Sequence, residues 1–194
     1  MRSTLKILET IHLPTDHGVF NMSIISSGDE KEHIVLERKE NTSKPPLVRI
    51  HSECLTGDIF SSHRCDCGEQ LEKSLKIIGD SDYGYIFYLR QEGRGIGLLN
   101  KMKSYNLQEQ GYDTIEANHM LGFETDLREY QMVADFLTQQ DIDHITLITN
   151  NPEKCDALRV ANIKVDRQAL PTTTRTENQK YKAVKVKKMG HFGH

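Results

Sequence analysis

From Leu47 onward the chain alternates β-rich runs with runs of helical period, and this alternation limits it to layered folds in which helices cover a largely parallel sheet. Leu47 to Glu53 alternates Val48 and Ile50 with Arg49 and His51, as a strand with one apolar and one polar face does, so Arg49 and His51 point the same way. Gly68 to Ile78 carries Leu71, Leu75 and Ile78 at helical spacing with Gly79 as its stop, and the aromatic strand Tyr83 to Leu89 follows. Leu98, Met102 and Tyr105 form the apolar face of a helix that ends at Gly111, and Tyr130, Val133 and Leu137 form another before the strand His144 to Thr149. A last helix is expected from Pro152 to Ala161, ahead of a polar, basic tail. The first forty residues differ: Leu5 to His12, Val19 to Ser26 and His33 to Arg38 read as short strands joined by the turn-formers Asp16–Gly18 and Ser27–Asp29. The expected class is α/β, a single layered domain over residues 1–194 with a mixed sheet flanked by helices and an antiparallel N-terminal strand region.

Composition narrows the partners. A formal net charge of -3 gives no overall cationic field for nucleic acid, although a local basic patch can still bind a small anion. No window approaches the apolar length of a membrane span, so the expectation is a soluble, cytoplasmic protein. Cys54, Cys65 and Cys67 crowd three of the four cysteines into fourteen residues, which in a reducing compartment favours metal or catalysis over disulfides.

Three soft thiolates suit zinc, and three protein ligands leave the fourth tetrahedral position for water, whose pKa then falls from about 15.7 towards roughly 7. A closed structural site completed by His51, His63 or Cys155, or simply buried free thiols, fits the spacing as well. Gln91-Glu92-Gly93-Arg94-Gly95-Ile96-Gly97 joins a strand to a helix, where backbone amides and Arg94 can face an anion; its glycines equally suit a tight turn at positive φ. Asp126 and Arg128 pair a base with a phosphate clamp, or form a helix cap beside a solvated arginine. Lys154 follows a strand-end turn in the first helical turn, suited to phosphate or merely exposed, and Tyr105 reads by default as a core aromatic.

Taken together, Val48 to Leu71, Arg90 to Lys101, Gln110 to Phe123, Asp126 to Arg128, Leu147 to Lys154 and Lys188 to His191 resemble the GTP cyclohydrolase II family over nearly the whole chain. The resemblance implies hydrolysis of GTP to formate, diphosphate and 2,5-diamino-6-(5-phosphoribosylamino)pyrimidin-4-one, the entry to riboflavin synthesis. It implies Cys54, Cys65 and Cys67 as zinc ligands, with zinc-bound water attacking C8 of guanine. Arg49, Ile50, His51, Ser52, Glu53, Gln70, Glu92, Gly93, Arg94, Thr114, Thr149 and Lys154 are similar to its GTP-contacting set. By the same resemblance Asp126 is the proton acceptor, Arg128 the nucleophile that expels diphosphate, and Tyr105 an active-site tyrosine whose presence favours complete release of formate. Arginine is overwhelmingly protonated, so a nucleophilic role demands an adjacent base, whereas a clamp demands nothing unusual. Magnesium on the phosphates and a homodimer are further implications. The tail Thr172 to Lys187 diverges from the family. Relatives are often fused to a dihydroxybutanone phosphate synthase domain, and the length here suggests the stand-alone form. Two rivals remain: an enzyme of the same fold that stops at the formamide or feeds another pathway, and a zinc-stabilised nucleotide or RNA module without turnover.

Overall fold

The three N-terminal strands form an antiparallel meander, β1 (Lys6–Thr15), β2 (Gly18–Ser26) and β3 (His33–Lys39), with a register shift between Ile7 and Glu9. A computed structural model describes residues 5–28 and 31–191, so Asp29 of the second expected turn lies outside the described residues. Four more strands complete one sheet: β4 (Leu47–Ser52), β5 (Tyr83–Leu89), β6 (His144–Ile148) and β7 (Lys164–Gln168). The sheet order is β1-β2-β3-β5-β4-β6-β7, antiparallel through the β3–β5 pairing and parallel from β5 to β7. The mixed sheet and its antiparallel start are those expected from the sequence.

Seven helices accompany these strands among the described residues: α1 (Leu55–Asp58), α2 (Cys67–Gly79), α3 (Gly97–Glu109), α4 (Thr114–Met120), α5 (Gln131–Gln139), α6 (Pro152–Val160) and α7 (Thr176–Met189). Alternation along the central strands divides the core in two. Val48, Ile50, Tyr85, Phe87, Ile145 and Leu147 face α5 and α6, packing with Val133, Phe136, Leu137 and Leu158. Ile86 and Ile148 face the other way and join Phe20, Leu71, Leu75 and Ile78 beneath α2. Arg49 and His51 share that second face of β4, as the alternation requires.

Four elements were not expected from the sequence, namely α1, α4, β7 and α7, and Pro152–Val160 is not the last helix. α7 has no apolar stripe for periodicity to reveal; the segment leading into it is tied down by polar groups, with Thr172 Oγ1 donating to Asp66 Oδ2 at 2.8 Å and Thr173 Oγ1 to Glu69 Oε1 at 2.9 Å. α4 is started by a capping box in which Asp113 accepts from the Ile115 and Glu116 amides while Glu116 accepts from the Asp113 amide.

The end of α2 rests on the turn between β1 and β2. A β-carbon on Gly79 would lie 1.9 Å from the His17 carbonyl oxygen, an impossible approach unless helix and turn separate. Gly79→Ala is therefore expected to cost about 2 kcal/mol or more, seen as a lower denaturant midpoint in chemical unfolding.

Candidate active site

The site begins where two parallel strands part. β4 and β6 pair only through Leu47 with Thr146 and Val48 with Leu147, and beyond that point their backbones no longer meet. The helices leaving them lie on opposite faces, α2 on one and α6 on the other, which opens a crevice at the strands' carboxyl ends. Two buried cations bridge the gap. Arg49 donates to the Ile148 carbonyl at 3.0 Å and to Gln70 Oε1 at 2.5 Å, and Lys154 Nζ donates to the Ile50 carbonyl at 2.8 Å. Burial lowers the Arg49 pKa to about 10, which still leaves it charged at neutral pH. Lys154 is 5% exposed, so its reading as an ordinary surface lysine is replaced by one in which its ammonium faces the crevice.

Cys54 ends β4, and Cys65 and Cys67 come from the approach to α2 and its first turn. Their sulfurs lie within 4.8 Å of one another, and no fourth His, Cys, Asp or Glu joins them among the described residues. His63 is exposed, Cys155 belongs to the core, and His51 is held by Asp58 at 3.0 Å, so the closed four-ligand alternative does not form. Glycines permit the convergence. A β-carbon on Gly57 would stand 3.0 Å from Cys65 Sγ and 3.2 Å from Cys54 Sγ, and one on Gly68 would stand 2.3 Å from the Gly57 carbonyl oxygen. Hydrogen bonds from Cys65 and Cys67 hold the Cys54 thiol far below its ordinary range, against burial and with help from Lys101. The Cys65 thiol is pushed up to about 11 by its bond to Cys54 and by burial, and the Cys67 thiol is pushed well above its ordinary range by its bonds to Cys54 and Cys65 and by burial. Three converging sulfurs with an open side fit a zinc ion of the catalytic type.

After β5 the backbone turns tightly through Glu92–Gly95, with Gly93 and Arg94 both in the left-handed region at φ 63° and 60°. Glu92 is buried, and protein donors occupy its carboxylate: Leu55 N at 2.7 Å, Gly93 N at 2.8 Å and Lys101 Nζ at 2.7 Å. The terminal nitrogens of Arg94 find no hydrogen-bond partner among the described residues, and the guanidinium sits 5.9 Å from the Tyr181 ring centre.

The expected apolar face of α3 is reversed. Leu98 and Met102 are exposed, while Lys101 and Ser104 are buried, and Lys101, Ser104, Tyr105 and Gln108 turn into the cavity. Their spacing of three, four and seven from Lys101 was legible as a polar stripe at helical period. Tyr105 lies between two cations, with Arg64 4.7 Å and Lys101 5.7 Å from its ring centre; burial, opposed by the Lys101 charge, pushes its phenol up to about 12.

Asp126 and Arg128 form a two-point pair, Nε to Oδ1 at 2.8 Å and Nη2 to Oδ2, in which both side chains are mostly buried. Asp126 is therefore no helix cap and Arg128 is not solvated. Burial opposes the charge on each group, yet the pairing wins, holding the Asp126 carboxyl below its usual range and Arg128 above its own.

Of the residues that the resemblance assigns to catalysis, GTP contact or zinc, all but two line one cavity. The exceptions are Ile50, whose side chain belongs to the core and whose carbonyl alone reaches Lys154, and Asp126, which stands behind Arg128. Gln70 reaches the cavity but is engaged by Arg49 and by Asp66 Oδ2, the latter at 2.8 Å. Sequence reading missed Lys101, Asn118, Asn151, Tyr181 and His191 in the wall.

The sequence pattern of GTP cyclohydrolase II matches residues 6–170. The chain belongs to the GTP cyclohydrolase II family. It is 49% identical over 185 residues to the riboflavin biosynthesis protein RibBA of Bacillus cereus (strain B4264), covering 94% of this chain and 47% of that protein. The RibBA of Bacillus velezensis is 48% identical over 188 residues, 95% of this chain and 47% of its own. The chain thus spans about half the length of the curated relatives it matches. A solved structure, RibBX, a two-domain 3,4-dihydroxy-2-butanone 4-phosphate synthase from A. baumannii, superposes over 87% of this chain and 40% of its own at 17% identity and TM-score 0.47, too distant to bear on the site.

Asp126→Ala in this GTP cyclohydrolase II domain strips a mostly buried arginine of its partner and is expected to cost about 3 kcal/mol of stability. Because the folded carboxyl titrates below its unfolded value, that contribution is complete above the unfolded pKa and fades as pH falls through the folded one. Denaturation of both proteins across pH should show a constant gap above pH about 4 that narrows below it.

Proposed function

We propose that the chain hydrolyses GTP at C8 of guanine, releasing formate and diphosphate and leaving 2,5-diamino-6-(5-phosphoribosylamino)pyrimidin-4-one, the first step of riboflavin synthesis. The observation that carries this reading is the three-sulfur cluster with no fourth protein ligand, opening into the same cavity as Arg49, Arg94, Arg128 and Lys154. Zinc held by Cys54, Cys65 and Cys67 would supply Lewis acidity and an acidified water for both hydrolytic cuts.

The chain's own groups do the rest. Arg49 and Lys154 are fixed by backbone carbonyls and present charge to the triphosphate, while Arg94 offers terminal N–H groups that no described side chain takes. Asp126 orients the guanidinium of Arg128 and keeps it protonated, which favours a phosphate clamp over a nucleophile. Tyr105, protonated at neutral pH, can donate its proton to the opened ring or orient it. Glu92 and Gln70, engaged by protein donors, shape the purine end of the cavity more than they bind it.

Magnesium on the phosphates belongs to the same reading, because GTP carries it as its usual counter-ion. So does a homodimer, as the family resemblance implies. No helix of the described residues is long and apolar enough to cross a membrane. A zinc-stabilised binding module is the weaker alternative, since it has no use for Tyr105, Asp126 and Arg128 gathered beside the sulfurs.

Purified protein given GTP and magnesium should yield formate, diphosphate and the diaminopyrimidine by mass analysis, with one zinc per chain. Cys54→Ser should lose both zinc and formate release; formate at the original rate in that variant sinks the metal assignment. Accumulation of the formamide would instead select the truncated reaction. Arg128→Lys keeps the charge but loses the planar fork, and should slow diphosphate release by about 100-fold.

A further inference from the structure

Lys101 is buried in the wall of the cavity, with its Nζ 3.2 Å from Cys54 Sγ and 2.7 Å from Glu92 Oε1. We propose that Lys101 is a positioning residue for the metal: its ammonium donates a hydrogen bond to the Cys54 sulfur, withdraws electron density from it, and so sustains the Lewis acidity of a divalent cation bound by the three sulfurs. The inference rests on reading Cys54, Cys65 and Cys67 as a metal site.

Charge explains why such a residue is needed. Three thiolates around a divalent cation carry a net charge of minus one, and electron-rich sulfurs blunt the acidity that hydrolysis requires. A cation hydrogen-bonded to one sulfur offsets both effects. Burying an ammonium is costly unless an anion receives it, and here two do. Glu92 gives the ammonium a fixed seat, because its own carboxylate is pinned by the amides of Leu55 and Gly93. Leu55 directly follows Cys54, so the carboxylate that grips Lys101 also grips the backbone next to the sulfur. Lys101 thereby ties the Glu92–Gly95 turn to the sulfur cluster. A lysine serving only as packing or as a plain ion pair with Glu92 would leave the electronic state of the sulfurs unaltered.

The test uses the whole chain loaded with zinc or with cobalt(II). Lys101→Met should fold, release zinc at about 10-fold weaker chelation than the original protein, and move the sulfur-to-cobalt charge-transfer bands to lower energy as the thiolate regains electron density. Lys101→Arg should return both readouts part-way. A folded Lys101→Met protein with unchanged bands and an unchanged chelation midpoint overturns the proposal. Should that variant fail to fold, Lys101→Gln, uncharged but polar, is read in the same way. An original protein that binds neither metal overturns the underlying metal reading, whereas one that binds both but is indifferent to Lys101 removes only the role of this lysine.

Discussion

The early parting of β4 and β6 is the constraint from which the rest of this molecule follows. Two parallel strands that stop pairing after two residues leave backbone carbonyls pointing into a gap, and buried carbonyls must be satisfied. Arg49 reaches Ile148 and Lys154 reaches Ile50, so side-chain cations replace the missing ladder bonds. Arg49 also donates to Gln70 Oε1, and both cationic side chains line the crevice. The strand ends are thus held together by the charges that make them attractive to a phosphorylated ligand, and neither role can be removed without disturbing the other.

Electrostatics within the crevice is divided by position. Arg49, Arg94, Arg128 and Lys154 gather positive charge in a chain whose net charge is -3, while the three sulfurs converge in the same cavity. Close packing makes this separation rigid. Gly57 and Gly68 let α1 and α2 approach until three sulfurs converge, and Asp126 locks Arg128 in one orientation.

Much of this was legible in the sequence, and the rest was hidden for identifiable reasons. Alternation through Val48, Arg49, Ile50 and His51 placed two polar side chains on one face of β4, as observed. The segments around Cys54, Glu92, Arg128 and Lys154 were found by their residue types and spacing, and the fold brings them into one cavity. α3 was misread because apolar residues at helical spacing normally face a core. Here the helix turns Lys101, Ser104 and Tyr105 inward to line a site and leaves Leu98 and Met102 outside. β7 is a short edge strand dominated by charged residues, and the apolar residues of α7 are few among many charged ones, so neither carried the periodic signal from which elements are inferred. The engagement of Glu92 and Gln70 by Lys101 and Arg49 depends on residues far away in sequence and has no local signature.

The C-terminal segment shows where resemblance and structure carry different information. The family match ends at residue 170, yet Tyr181 and His191, beyond it, stand in the wall of the cavity. Thr172 donates to Asp66 Oδ2 at 2.8 Å, and Asp66 in turn receives Gln70, which holds Arg49. The tail is therefore wired through hydrogen bonds to the cation that bridges β4 and β6. Part of the cavity wall is built from sequence beyond the family match, and the hydrogen-bond chain through Asp66 couples it to the cation at the strand ends.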